Sequence, residues 1–441
     1  MTDLRLLLFV CLFASCTGES PDVRTPGQPG AKPEPEWKGT LLYPAGQTHS
    51  PVDSRVAAAW RETRSWGPDL ADDVFMKVGA SSTVSLNTLY CFGSDQVFLG
   101  GAESLRPTLE YFLNGDAAGT NPFERVTQAA RSGRTANWAL SGEPSPVQME
   151  FETLMPGLAI IHYGTNDMQM GSTYASAMPG FYESMSELLD WMEFRGVLPI
   201  VTGISHRGDR EEADRWVATY NALLRGMAQA RDLPFIDLHA AMDPLVGHGL
   251  ASDGLHLNLG PYPACDLRED ALAYGYNQRN LIVLEALARV RSVLQEGENG
   301  LDGDALRLVG EGTLEEPAVI PALPFSDARD TYESGQYEWD SQCGGEPVHG
   351  GPEWVYQLEL SQSTAIRALV MDRGATDVDL MLLNAEGQCL KRADTRIEMT
   401  LSRGVYTLVV DTFVDSSGFE RSGPFQLMVV ACDDGDVSCA G

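Results

Sequence analysis

Basic charge is scarce in this sequence. Across 441 residues, 31 Lys plus Arg stand against 62 Asp plus Glu, a formal net charge of −31. Such a surface repels phosphate backbones, which argues against nucleic-acid binding and reads most simply as solubility. Long apolar runs are also missing, and none approaches the roughly 18 residues that a membrane-spanning helix needs. No CxxC or His/Cys spacing suggests zinc, and no repeat of fixed period is visible. What is present is an ordinary hydrophobic fraction of 43%, enough for a sizeable core. The length suits two folded domains behind a leader.

The leader is the short apolar run of residues 6–13, preceded by Arg5 and followed by Ala14 and Ser15. It has the length of a signal-peptide core rather than of a mature spanning helix. Leu12-Phe13-Ala14-Ser15-Cys16 resembles a bacterial lipobox. The resemblance implies lipid on Cys16 and attachment at an outer membrane or cell surface. Of eight cysteines, Cys11 leaves with the leader and Cys16 carries lipid, so six remain in an oxidising compartment. Cys91 and Cys265 can pair with each other. Cys343, Cys389, Cys432 and Cys439 allow three connectivities.

The chain divides into a leader at 1–16, a Pro/Gly-rich tether at 17–38, a large region at 39–300, and a linker with a β-rich region at 301–441. In the large region, Val/Ile/Phe-rich runs at 74–78, 158–163, 197–203 and 234–238 read as buried strands. Helical spacing places Met185, Leu188, Leu189 and Met192 on one face. It does the same for Trp216, Tyr220, Leu223, Leu224 and Met227 over 211–230. Asp266 and Glu269 are read as opening a last helix through Leu284, Leu287, Val290 and Leu294. Alternating strands and helices predict a mostly parallel α/β sheet. After Gly300, short alternating runs at 354–360, 365–371, 379–383, 405–410 and 425–430 predict a β-sandwich.

Three segments carry candidate chemistry. Residues 74–78 run into Gly79-Ala80-Ser81, a turn that can expose a hydroxyl at the strand's C-terminal edge, where active sites of parallel sheets form. Residues 160–163 run into Gly164-Thr165-Asn166-Asp167, in which Asn166 can donate an amide N–H to an oxyanion and Asp167 can fix the turn. Asp253-Gly254-Leu255-His256 puts a carboxylate within reach of an imidazole on one loop, so that the other ring nitrogen is free to activate a serine.

Together, and in this order, the three segments resemble the SGNH (GDSL-like) hydrolase family over about residues 72–294. The resemblance implies a three-layer α/β/α domain with a flavodoxin-like parallel sheet. It implies a Ser81–His256–Asp253 triad and an oxyanion hole of Asn166, the Ser81 N–H and one further glycine N–H. The expected activity is cofactor-free hydrolysis of carboxylic esters, with short acyl groups on polysaccharide as the expected substrate. Two departures stand out. Ala80 replaces the family's Asp, and the second glycine block has no sharp signature. By order along the chain Gly142 is our choice, with Gly93, Gly100 and Gly101 as competitors. The alternatives to an esterase are a glycan-binding lipoprotein with a degenerate hydrolase domain, and an O-acyltransferase on the same fold. Ala80 is the one feature that favours the binding protein.

The β-rich region resembles the pre-peptidase C-terminal type of domain, on Thr376-Asp377-Val378-Asp379-Leu380 and on residues 404–410, which begin Gly-Val-Tyr. That implies a non-catalytic accessory. Of the other histidines, His162 reads as a core residue, and His49, His206, His239, His248 and His349 show no partner spacing. Arg207-Gly208-Asp209 reads as a chance loop tripeptide. Residues 433–436 read as a solvated tail inside a Cys432–Cys439 loop.

Overall fold

The computed structural model describes residues 40–303, 305–337, 343, 349–433, 435–436 and 439. The leader, Cys16 and the tether at 17–38 lie outside the described residues. The α/β domain runs α1 Ser54–Ser65, β1 Ala71–Gly79, α2 Ser81–Val84, α3 Arg106–Leu113, α4 Ala136–Ala139, α5 Pro146–Leu154, β2 Pro156–His162, α6 Tyr174–Glu193, β3 Leu198–Thr202, α7 Glu211–Ala230, β4 Phe235–Ile236, α8 Leu238–Met242 and α9 Gly275–Leu294. No helix among the described residues is long and apolar enough to cross a membrane.

The sheet order is β1-β2-β3-β4, and every pairing is parallel. Residues 127–131 flank β1 on its other side: Ala130 bridges Gly79 in parallel, and the Arg131 N–H donates to Gly79 O. Counting that segment, the strand order is the flavodoxin-like one expected. β2 is buried along its whole length, because helices cover both faces of a parallel sheet. α7 spans the expected residues 211–230. α9 starts at Gly275, later than Asp266 and Glu269 suggested. The Asp266 carboxylate is buried and committed to Arg268 at 2.9 Å, so it caps a turn rather than a helix.

The C-terminal β-rich region forms two sheets. Its strands are β5 Ala318–Ile320, β6 Phe325–Asp330, β7 His349–Leu360, β8 Thr364–Asp372, β9 Val378–Leu383, β10 Cys389–Ala393, β11 Arg396–Leu401, β12 Gly404–Phe413 and β13 Pro424–Ala431. The sheet orders are β10-β9-β12-β7-β5 and β11-β8-β13-β6, antiparallel except for β5 with β7. β13 is buried on both faces, and the period of two explains how. Phe425, Leu427 and Val429 enter the sandwich core, while Met428 and Val430 join the core of the α/β domain.

α7 is the helix laid against that outer face. Gln426 Nε2 donates to Leu223 O at 2.8 Å, and the Arg367 guanidinium lies 3.7 Å from the Trp216 ring centroid. Gly226 sits at this crossing, where a Cβ would come within 2.3 Å of Gln426 Nε2. Disulfides join Cys91 to Cys265, Cys343 to Cys389 and Cys432 to Cys439.

Candidate active site

β1 and β2 end side by side, with Gly79 opposite His162. A side chain at 79 would meet Thr83 Oγ1 at 2.2 Å and His162 O at 2.7 Å, so the turn closes only on glycine. Ser81 opens the single helical turn of α2, with Ser85 N–H donating to Ser81 O at 3.1 Å. Ala80 offers only a half-buried methyl where the resembled family has a carboxylate.

The turn is braced from below by α9. Arg279, almost wholly buried, donates through Nη1 to Ser82 O at 3.0 Å and through Nη2 to His162 Nδ1 at 3.1 Å. Burial lowers that guanidinium to about 10. Burial, and then the Arg279 charge, hold His162 well below its ordinary range, so it is a neutral acceptor. His162 is thus the core residue expected, and Arg279 is a support that sequence reasoning missed.

At the end of β2, Asp167 ties the turn together. Its Oδ2 accepts from Gly164 N–H at 3.0 Å and its Oδ1 from Ala136 N–H at 2.8 Å. Burial raises its pKa to about 6, against the pull of these backbone donors. Gly164 has φ +121°, and a Cβ there would meet Ile204 Cδ1 at 2.4 Å. Asn166 is half-buried and spends one amide N–H on Arg134 O at 2.9 Å.

The third loop brings its two residues to Ser81. Asp253 Oδ1 accepts the Leu255 and His256 backbone N–H groups, both at 3.0 Å. Its Oδ2 lies 2.7 Å from His256 Nδ1, and His256 Nε2 lies 2.9 Å from Ser81 Oγ. The carboxylate accepts only, so Nδ1 carries the proton and Nε2 accepts from the serine hydroxyl. The His256 hydrogen bond first, then the two backbone donors, hold Asp253 at about 2.

The Arg207-Gly208-Asp209 tripeptide anchors this loop. Arg207 pairs with Asp209 at 2.7 and 3.0 Å and reaches Thr165 O at 3.0 Å, while the Asp209 N–H donates to Gly254 O. A buried cation thereby connects the base loop to the Asn166 turn.

Gly142 is exposed in the loop after α4, and a Cβ there would touch only Pro144 O, at 3.8 Å. A side chain at Gly93 would face Glu124 and one at Gly100 would face Arg268, while at Gly101 it would meet nothing within 4 Å among the described residues. The segment that crosses the end of β1 is 129–134, joined to Gly79 by backbone bonds and to Asn166 through Arg134 O. It contains Gly133, exposed, with φ +74° and open space where a side chain would stand. Several glycines lie between Ser81 and Asn166 in the chain, and Gly133 is the one on the segment that neighbours β1.

Residues 100–259 match the GDSL-like Lipase/Acylhydrolase family. The matched stretch contains Asn166, Asp253 and His256 and begins after Ser81. No curated protein matches the chain. Among solved structures, a GDSL-like lipase from Bacteroides thetaiotaomicron aligns at 15% identity and a TM-score of 0.33, over 53% of this chain and 98% of that one. A catalytic mutant of an acetylxylan esterase from Geobacillus stearothermophilus aligns at 13% identity and a TM-score of 0.32, over 48% and 93%. The pre-peptidase C-terminal domain of a Bacillus anthracis collagenase aligns at 15% identity and a TM-score of 0.18, over 25% and 91%. The α/β domain thus carries, on a parallel-sheet fold, a stretch similar to the GDSL-like Lipase/Acylhydrolase family, and the protein is a carboxylic ester hydrolase.

Proposed function

We propose that Ser81, His256 and Asp253 act as the catalytic triad of an esterase that removes short acyl groups, O-acetyl above all, from carbohydrate. The observation that carries this reading is the continuous hydrogen-bond chain from Ser81 Oγ through His256 to Asp253, at 2.9 and 2.7 Å. His256 Nε2 takes the hydroxyl proton as Ser81 Oγ bonds to the ester carbonyl carbon. The second amide N–H of Asn166, the Ser81 N–H and, in place of Gly142, the Gly133 N–H stabilise the oxyanion. One such donor is worth about 2.7–4 kcal/mol in the transition state. The alcohol leaves with the proton from His256. Water then repeats the sequence on the acyl-enzyme and releases the acid.

The openness of the site supports a small acyl group on a bulky alcohol. Half of the Asp253 side chain and a third of that of His256 face solvent, which leaves room for a polymer to lie across them. Export and lipid attachment through Cys16 belong to the same reading, supported by three disulfides of the kind that persist in oxidising compartments.

The test compares the protein with Ser81→Ala on a chromogenic acetyl ester. We expect kcat to fall by at least about 10³-fold with the unfolding temperature unchanged. Equal rates from the two proteins, across several acyl lengths, would remove the triad from this account.

A further inference from the structure

Three histidines separated in the sequence are stacked in the fold. His206 follows β3, His239 lies in α8, and His248 lies in the turn Val246–Gly249. The His206 ring centroid is 3.7 Å from that of His239 and 3.8 Å from that of His248. His206 is 7% exposed, and among the described residues its Nε2 has no hydrogen-bond partner; the buried Nδ1 of His248 has none either. Unpartnered buried ring nitrogens on adjacent imidazoles are unfavourable unless something else occupies their lone pairs. Both face the same carboxylate oxygen. Asp243 Oδ1 lies 3.6 Å from His206 Nε2 and 3.7 Å from His248 Nδ1.

These distances are too long for hydrogen bonds but close to another spacing. Ligand atoms held about 2.0–2.1 Å from a tetrahedral ion are separated by about 3.3–3.4 Å. All three atoms here lie within 4.8 Å of one another. Two imidazole nitrogens and one carboxylate make a borderline donor set, which suits zinc-class ions and not calcium or magnesium, whose ligands are oxygens. Asp214 stands behind the cluster, its Oδ1 3.8 Å from His206 Nδ1, where a carboxylate commonly orients a metal-bound imidazole.

We propose that His206 Nε2, His248 Nδ1 and Asp243 Oδ1 bind one divalent transition-metal ion of the zinc class. Binding requires the two stacked rings to turn toward a common point. Asp243 is exposed and His248 half-exposed, so the side of the site that must move is the side that can. The ion joins two segments that reach the base loop. His206 adjoins Arg207, which holds Thr165 O and Asp209. His248 precedes Gly249, whose carbonyl accepts the Asn258 N–H at the root of the loop bearing Asp253 and His256. The role that follows is a structural clamp on that loop.

The full chain, stripped with chelator and kept without reductant so that the disulfides stay closed, is titrated with Co²⁺ and then Zn²⁺. We expect one equivalent of Co²⁺, seen in its visible absorption, displacement by Zn²⁺, and a higher unfolding temperature with either ion. Asp243→Ala and His248→Ala alter accessible side chains and should keep the fold. Each should weaken binding at least as much as losing an outer-shell partner does, roughly 10–100-fold. His49→Ala, a histidine outside the proposed ligand set and paired with Glu285, should leave metal binding unchanged. Absence of stoichiometric binding at micromolar metal, or binding untouched in the Asp243→Ala/His248→Ala double variant, would overturn the site.

Discussion

The α/β domain and the β-rich region place their polar groups in opposite ways. In the first, β2 and β3 are buried throughout and polar only at their last residues, His162 and Thr202, and polar residues gather where the strands stop: Gly79 to Ser81, then Gly164 to Asp167. In the second, charges sit within the strands and neutralise one another. Arg367 on β8 binds Glu398 and Asp436, both at 2.6 Å, while Arg329 and Tyr356 share Asp327 at 2.7 and 3.0 Å. Buried pairs of this kind leave little free to react. The strand ends of the α/β domain keep donors and bases that are only partly committed, and chemistry can use them. That contrast predicts where substitutions alter rate and where they alter stability.

The largest effect falls on the strand ends. Asn166→Ala removes a side-chain donor and the bond to Arg134 O. We expect kcat to fall about 10²–10³-fold, with KM and the unfolding temperature little changed. A loss confined to KM would make Asn166 a binding residue and weaken the contrast.

The next prediction concerns pH. Asp167 has a folded pKa raised to about 6 from an ordinary 3.8, chiefly by burial. Between those values the folded state holds more protons than the unfolded state. Stability from this group therefore falls as pH rises from about 4 to 6 and is level above that range. Two units correspond to at most about 3 kcal/mol. Asp167→Asn removes the titration, so the stability of the native protein relative to the variant should decline over that window in denaturant melts. A difference independent of pH would show that Asp167 stays ionised throughout.

On the other side of the comparison stands the seam between α7 and the sandwich. Gly226→Leu would force atoms into Gln426 and Ser326, whose side chains already lie 2.3 and 3.0 Å from where a Cβ would stand. Overpacking of this kind costs about 1–3 kcal/mol. We expect a lower unfolding midpoint with unchanged kcat per folded molecule. A fall in kcat would mean that the sandwich helps to shape the active site.

Much of this arrangement is legible in the residues. The four strands of the parallel sheet stand out by their apolar runs, and the helix at 211–230 by its spacing. The edge segment at 127–131 does not, because Thr-Gln-Ala-Ala-Arg has neither apolar alternation nor β-branched density; its pairing comes from the neighbouring Gly79. β10 and β11 escape notice because Lys391, Arg392 and Glu398 interrupt their apolar positions. Ser81, Asp253 and His256 could be singled out because each follows a recognisable local pattern. Arg279 and the His206–His248 stack could not, since their meaning lies in contacts between segments distant in the chain.

The smallest expected effect tests what kind of seam joins the two regions. Arg373, just beyond β8, pairs with Asp190 on α6 at 2.9 Å, and Asp190 also holds Arg231 at 2.8 Å. The Arg373 and Asp190 side chains are about a third and nearly half exposed, so water screens their attraction. Arg373→Ala leaves Asp190 with Arg231 as a partner. The expected loss is about 0.2–1 kcal/mol, shrinking further in high salt. Packing at Gly226, Gln426 and Met428 would then account for most of the seam's strength. A loss above about 2 kcal/mol that high salt abolishes would instead make charge the principal adhesive between the regions, and the ranking of Gly226 over Arg373 would have to be reversed.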